Sequence, residues 1–182
     1  CLPTIYDSNK KEYDKSCIED VCIKLENVNY SGLVIIKSTV EPTTTDNLAN
    51  KFKNLKFVHN PEFLTAATAF EDFHNQKHIV LGKSNNVSST ELKIIEKFYE
   101  IYYKDILIST CSCLESESMK IFCNCFYSVK IQFFNELYLL CEKTKCDYNI
   151  VKEMMLKNDW INPMHTVVPG TDGKLSYGGY CF

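Results

Sequence analysis

Short apolar runs alternate with helical spacings from Lys15 to Ile108, and then the alternation stops. Ile18, Val21, Cys22 and Leu25 recur at the spacing of one helix face, which predicts a helix over 15–27. Leu33-Val34-Ile35-Ile36 is a continuous, mostly β-branched run, suited to a strand buried on both faces as in a parallel sheet. A helix over 44–52 and a short strand at Phe57-Val58 come next. Pro61 fits the first turn of a further helix reaching about Phe73, because its missing N–H is not needed there. A strand at 78–81 precedes an amphipathic helix over 88–102, with Ser89 or Thr90 as its cap. The last strand of the series is Ile106-Leu107-Ile108. Such alternation folds into an open α/β sheet through right-handed βαβ units.

From Leu114 to Lys143 there is neither Pro nor Gly, and apolar residues fall on most faces of the expected long helix. A helix of that kind is covered by neighbours, so it joins two domains or forms a subunit interface. A shorter helix spans about 147–156. From Trp160 onward Pro163, Pro169, Gly170, Gly173, Gly178 and Gly179 mark loop.

With a net charge of -3 and interspersed charges, nothing marks the clustered basic face of a nucleic-acid binder. No apolar run reaches the roughly 18 residues of a membrane span. The expectation is a soluble, cytoplasmic protein. Ten cysteines suggest either a disulfide scaffold or zinc, and neither fits. There is no secretory context. Of the C-x-C pairs, Cys123 and Cys125 fall inside the expected helix, where i and i+2 point to different faces. No metal is expected, and most of these thiols read as small core residues. The six glycines supply no G-x-G-x-x-G, the usual start of a dinucleotide-binding fold. Either the chain is no such fold, or that half lies before Cys1.

Four stretches in order decide between these. Ile36-Lys37-Ser38-Thr39-Val40-Glu41-Pro42-Thr43-Thr44-Thr45-Asp46 is a strand-to-helix turn of the form K-S-T-V-x-P-G-T-T. His59-Asn60-Pro61-Glu62-Phe63-Leu64 contains N-P-E-F-L. Glu117 to Lys120, then Asn124 and Lys130 to Glu136, match E-x-x-K-x-x-x-N with K-I-x-F-x-N-E. Val168 to Lys174 with Tyr177 to Phe182 match V-P-G-x-D-G followed by G-G-x-C-F. Together these resemble the UDP-glucose/GDP-mannose dehydrogenase family, the nucleotide-sugar 6-dehydrogenases, over essentially the whole chain. Leu2-Pro3-Thr4 resembles the family's V-P-T-P, with Ile5 replacing its second proline.

The resemblance implies an α/β fold. Residues 1–112 would be the later part of a Rossmann-like, parallel-sheet NAD-binding domain. Residues 113–182 would be a connecting helix and the start of an all-helical, dimerising central domain. Both ends read as cut: family members run to roughly twice this length, with the glycine fingerprint upstream and a second α/β domain downstream. It further implies NAD as cofactor, a nucleotide-sugar substrate (UDP-glucose foremost) and a homodimer formed through the long helix.

By the same resemblance Cys181 is the nucleophile, forming a thiohemiacetal and then a thioester, beside Gly178 and Gly179 where backbone can approach substrate. Lys120 supplies positive charge to the oxyanion and Asn124, one turn on, a neutral donor. Glu62 serves as general base or water-holder, helped by Thr39. Phe63, Leu64, Lys174, Tyr177, Gly178 and Gly179 contact the substrate, and Thr4, Ser38 and Thr39 the cofactor crevice. Glu117 is positional.

Two departures stand out. Thr65-Ala66-Ala67 lacks the second glutamate that many relatives carry, and Thr43 replaces the turn glycine, which strains a β-branched residue if φ there is positive. Without its fingerprint this chain alone is expected to turn nothing over. The alternative is a truncated, inactive remnant that serves only as a helix-mediated dimerisation or interaction module.

Overall fold

The computed structural model describes residues 2–170 and 173–175. The chain divides into two compact units, Cys1–Ile121 and Phe122–Phe182.

In the first unit a two-stranded hairpin, β1 (Tyr6–Asp7) and β2 (Glu12–Tyr13), leads into α1 (Ser16–Asn27). There follow β3 (Leu33–Ile36), α2 (Thr44–Lys51), β4 (Lys56–His59), a 3-10 turn (Ala66–Thr68), α3 (Ala69–His74), β5 (His78–Lys83), α4 (Ser89–Tyr102) and β6 (Leu107–Ser112). The sheet order is β3-β4-β5-β6. Phe57 and Val58 show the two-residue period of a buried strand. Phe57 joins Ile18, Cys22, Leu48 and Phe52 from α1 and α2, whereas Val58 joins Leu92, Ile95 and Tyr99 from α4. Helices therefore cover both faces, as a largely parallel α/β sheet requires.

The sheet departs from the parallel expectation at its centre. β3–β4 and β5–β6 are parallel, but β4 and β5 are antiparallel and share only Val58↔Lys83 and His59↔Gly82. Pro61 has no N–H to continue the ladder, so β4 stops at His59, and the Asn60 side chain donates to the Val80 carbonyl instead, at 2.9 Å. The expected helix opening on Pro61 is corrected for the same reason. Residues 60–65 are irregular, and helical turns begin only at Ala66. The cap of α4 is Ser88, one residue before the expected Ser89: its hydroxyl accepts the Glu91 N–H, and the Glu91 carboxylate accepts the Ser88 N–H, a capping box.

β6 passes directly into α5 (Cys113–Thr144). Ser112 and Glu115 repeat the reciprocal capping, with the Glu115 carboxylate taking the Ser112 N–H at 2.8 Å. Gly82 lets this junction close. A Cβ there would lie 2.6 Å from Ser116 Cβ and 2.9 Å from the Ser112 carbonyl oxygen.

The second unit contains the rest of α5 and α6 (Tyr148–Leu156). Asp147 caps α6 by accepting the Asn149 and Ile150 N–H groups. Phe134, Cys141 and Tyr148 form its small core, with Tyr138, Val151, Met155 and Ile161 against it. The Tyr148 hydroxyl ties this core to the following loop by donating to the Thr166 carbonyl at 2.6 Å. Phe122, Phe126, Val129, Phe133 and Leu140 leave a stripe on α5 more than half exposed. Among the described residues no helix is long and apolar enough to cross a membrane.

Candidate functional site

The ends of β3 and β4 lie side by side because the strands are parallel, and the Asn60 N–H extends their pairing by donating to the Ile36 carbonyl at 2.8 Å. Each strand therefore delivers its motif to one edge: Lys37-Ser38-Thr39 from β3 and Asn60-Pro61-Glu62 from β4. Lys37, at the end of an apolar strand, donates to Asn60 Oδ1 at 2.9 Å and to the Asn60 carbonyl at 3.3 Å. Burial lowers the Lys37 pKa, and the nearby Glu62 carboxylate opposes that shift. Asn60 also accepts the Tyr99 hydroxyl, so strand, loop and α4 share one buried polar network.

Lys120 comes from the first turns of α5 and is 4% exposed. A buried ammonium needs partners, and Lys120 has them. Its Nζ donates to the Glu62 carbonyl, lies 3.6 Å from Glu62 Oε1 and sits 4.9 Å from the centre of the Phe63 ring. Glu62 Oε2 accepts the Leu64 N–H at 2.6 Å. Glu62 thus stands in a loop pinned by an ammonium, not at a helix start where a dipole would favour it. Its carboxylate remains partly exposed, at 26% of the side chain.

Glu117 explains how the helix and the first motif stay aligned. It is fully buried, and its two oxygens accept the Thr43 and Thr45 N–H groups, each at 2.7 Å, at the start of α2. Burial raises its pKa against the pull of those hydrogen bonds. Thr43 has φ 82, the left-handed conformation in which the strain expected for a β-branched residue applies. Beside Glu117, Ser116 meets His59 Nδ1 at 2.8 Å. The His59 Nε2 makes no hydrogen bond, and burial brings the His59 pKa down to about 4, with the Ser38 backbone offsetting only part of that.

Thr4, Ser38 and Thr39 meet where the 2–4 segment crosses the end of β3. The Thr4 hydroxyl donates to the Thr39 carbonyl at 2.7 Å, and the Ser38 hydroxyl to the Leu2 carbonyl at 2.7 Å. Thr4 and Thr39 are half-buried. Their position beyond the carboxyl end of a strand suits the dinucleotide crevice of an open α/β sheet. Each hydroxyl has one hydrogen, so Thr4 and Ser38, already donating, would meet NAD as acceptors from its hydroxyl groups. These residues fit one wall of an NAD site. The six glycines of the sequence are not spaced as G-x-G-x-x-G, the pattern that cradles a pyrophosphate.

The structure gathers Glu62, Phe63, Leu64 and Lys120 into one cluster and Thr4, Ser38 and Thr39 into another. Asn124 falls in the second unit, half-buried, its carbonyl taking the Ser128 hydroxyl at 3.1 Å. Lys174 also lies there, exposed, its carbonyl accepting the Gly170 N–H at 3.0 Å. Cys181, Tyr177, Gly178 and Gly179 lie outside the described residues. Sequence reasoning assigned no role to Lys37, Asn60 or His59. The signal for Lys37 and His59 was a charged or titratable residue ending an otherwise apolar strand.

Comparison with known proteins accounts for both halves of the chain. Residues 1–103 match the NAD binding domain of the UDP-glucose/GDP-mannose dehydrogenase family, and residues 114–182 match its central domain. The UDP-glucose 6-dehydrogenase of Campylobacter jejuni is 30% identical over 98% of this chain and 44% of its own length. That of Rickettsia bellii is 32% identical over 94% of this chain and 39% of its own. The chain thus spans about two fifths of the length of each of these two relatives. The crystal structure of GDP-mannose dehydrogenase from Pseudomonas aeruginosa shares the fold, with a TM-score of 0.75, 23% identity and coverage of 88% of this chain and 39% of that one. NAD is the cofactor that the first matched domain binds. Two adjoining domain matches in the right order, on a sheet that carries the matching motifs to one edge, place this chain in the UDP-glucose/GDP-mannose dehydrogenase family.

Proposed function

We propose that this chain is a piece of an NAD-dependent nucleotide-sugar 6-dehydrogenase. Residues 1–112 belong to its NAD-binding domain and 113–182 to its helical central domain. The reaction is oxidation of a sugar C6 alcohol to a carboxylate, UDP-glucose to UDP-glucuronate, in the cytoplasm. The observation that carries this reading is the contact of Lys120 with Glu62. Two motifs far apart in sequence meet there in a chemically purposeful pair.

NAD, when bound, supplies the hydride acceptor for both oxidations. The chain's own residues do the rest. Cys181 adds through sulfur to the C6 aldehyde, giving a thiohemiacetal, and oxidation of that adduct leaves a thioester. Lys120 and Asn124 present positive charge and an amide N–H to the oxygen that becomes negative in each addition. Glu62 and Thr39 hold the water that cleaves the thioester, and Glu62 takes its proton. Phe63 and Leu64, with Lys174, Tyr177, Gly178 and Gly179, seat the nucleotide-sugar. Thr4, Ser38 and Thr39 line the cofactor crevice.

A homodimer through α5 accompanies this reading. Phe122, Phe126, Val129 and Phe133 are more than half exposed at steps of four, three and four residues, the seam spacing of packed helices.

The test is NADH formation by the natural gene product with UDP-glucose, GDP-mannose and a UDP-N-acetyl-sugar in parallel. Two NADH per UDP-glucose, abolished by Cys181→Ala, is the expected result. Turnover of another nucleotide-sugar alone would correct the substrate. No turnover of any, with a stable dimer, would leave the dimerisation module as the role.

A further inference from the structure

The C-terminus of α5 carries two cysteines in a specific backbone frame. Lys145 has φ 59, its N–H donates to the Glu142 carbonyl at 3.4 Å, and the Cys146 N–H donates to the Cys141 carbonyl at 3.1 Å. That paired bonding is a Schellman motif, in which the first and last side chains frequently meet; here those residues are Cys141 and Cys146, and their thiols are within hydrogen-bonding reach. Standard backbone dimensions, added to the 3.1 Å hydrogen bond, keep the two Cα atoms within about 7 Å. Disulfides span roughly 4.4–6.8 Å between Cα atoms.

The two thiols differ in the way an oxidisable pair needs. Cys141 is buried in the small core and Cys146 is exposed. The Thr144 hydroxyl lies 3.2 Å from Cys146 Sγ and 2.8 Å from the Leu140 carbonyl. It has one hydrogen, which can rotate from that carbonyl to the sulfur once Cys146 ionises. The Thr144 hydroxyl and then the Cys141 thiol hold the Cys146 pKa below the ordinary thiol value, while burial raises that of Cys141. The exposed thiol is therefore the one that ionises and attacks first.

We propose that Cys141 and Cys146 form a thiol-oxidation site, closed to an intramolecular disulfide by hydroperoxides. The Cys146 thiolate attacks the peroxide oxygen, breaking the O–O bond and leaving a sulfenic acid and, with hydrogen peroxide, water. The Cys141 sulfur then attacks that sulfenic sulfur, and its proton leaves with the hydroxyl as a second water. Two thiols lose two electrons to one peroxide. Asp147, the next residue, caps α6, so the disulfide covalently fixes the end of α5 to the start of α6. This site is separate from the dehydrogenase residues and does not depend on their roles.

The test treats the reduced full chain with graded hydrogen peroxide, alkylates it with iodoacetamide and digests it with trypsin without reductant. Cleavage after Lys143 and Lys145 separates the cysteines, so the disulfide appears as peptide 131–143 joined to peptide 146–152. The linked pair is expected at peroxide levels that leave Cys17 and Cys125, both exposed, fully alkylated. Cys146→Ser removes it. Cys141→Ala leaves Cys146 as a sulfenic acid captured by dimedone. Loss of Cys17 and Cys125 at the same peroxide level, or dimedone capture of Cys146 with Cys141 present and no linked pair, overturns the proposal.

Discussion

Replacing Thr43 by glycine should stabilise the protein. Thr43 holds φ 82 and ψ -8 because Glu117 fixes the turn from below, accepting the Thr43 and Thr45 N–H groups at 2.7 Å each. A β-branched residue in a sparsely populated region stores about 1–3 kcal/mol. Glycine removes that strain and keeps the N–H that Glu117 needs. Against the gain, glycine loses about 0.5–1 kcal/mol more backbone entropy on folding. It also removes the exposed Asn47 Nδ2 to Thr43 Oγ1 hydrogen bond at 3.3 Å, which contributes about 0.5 kcal/mol. The middle of these ranges leaves a net gain of about 0.5–1 kcal/mol, a rise in Tm of about 1–4 °C for a chain of this size. Thr43→Val is the control, since it keeps the branched strain and loses only the hydroxyl. Urea unfolding followed by circular dichroism should place the glycine variant above wild type and the valine variant slightly below. A glycine variant at or below the valine one refutes the strain argument, and the turn is then relaxed in a way that φ alone does not capture.

His59 makes stability pH-dependent. Its folded pKa, about 4, lies below the 6.5 of the unfolded chain, so the unfolded state binds the extra proton and stability falls as pH drops from 6.5 toward 4, by on the order of 3 kcal/mol in full. His165, also lowered by burial, acts in the same direction. Urea midpoints between pH 6.5 and 5 should slope less in His59→Asn than in wild type, the other titrating groups being common to both; an unchanged slope assigns the effect elsewhere. Gly82→Ala should lose about 1–3 kcal/mol because its Cβ meets main chain at the β6–α5 junction. Gly32→Ala first meets the Tyr30 side chain, which can turn aside, and should lose less; urea unfolding of the two variants makes the comparison. Under the proposed function, Lys120→Met should lower kcat by about 10²–10³-fold, measured as NADH formation with saturating sugar; a change confined to KM would make Lys120 a binding group.

The alternating half of the sequence was legible where a strand is a short apolar run, as in Leu33–Ile36 and Ile79–Leu81, and where a helix buries one face, as α1 does with Ile18 and Cys22 and α4 with Leu92, Ile95 and Tyr99. What misled was Pro61. A proline suits a helix start or a chain leaving a sheet, and only tertiary partners decide; here Asn60, Lys37 and Lys120 hold the segment out of a helix. The antiparallel β4–β5 contact was hidden for a related reason, since a local pattern records burial but not direction. Thr43 and Glu117 were readable as an odd turn residue and a positional acid, yet their pairing across the sequence was not. The exposed stripe of α5 was legible as apolar content, while its lack of cover within one chain had to be seen.

The arrangement around Glu62 also constrains how its proposed chemistry proceeds. Lys120 has three hydrogens, and two of its observed partners belong to Glu62, the main-chain carbonyl and Oε1. An ammonium so engaged positions the loop before any substrate arrives. To serve an oxyanion as well it must use its remaining hydrogen or relax its longer contact, the 3.6 Å approach to Oε1. The short bond to the carbonyl is the one that fixes the backbone. Yielding the longer contact frees the carboxylate to take a proton at the stage when the oxyanion draws the ammonium away. Under the proposed function, one lysine thereby couples the two roles. Lys120→Arg, with a planar fork in place of a compact charge, should separate them, keeping the loop in place while impairing turnover.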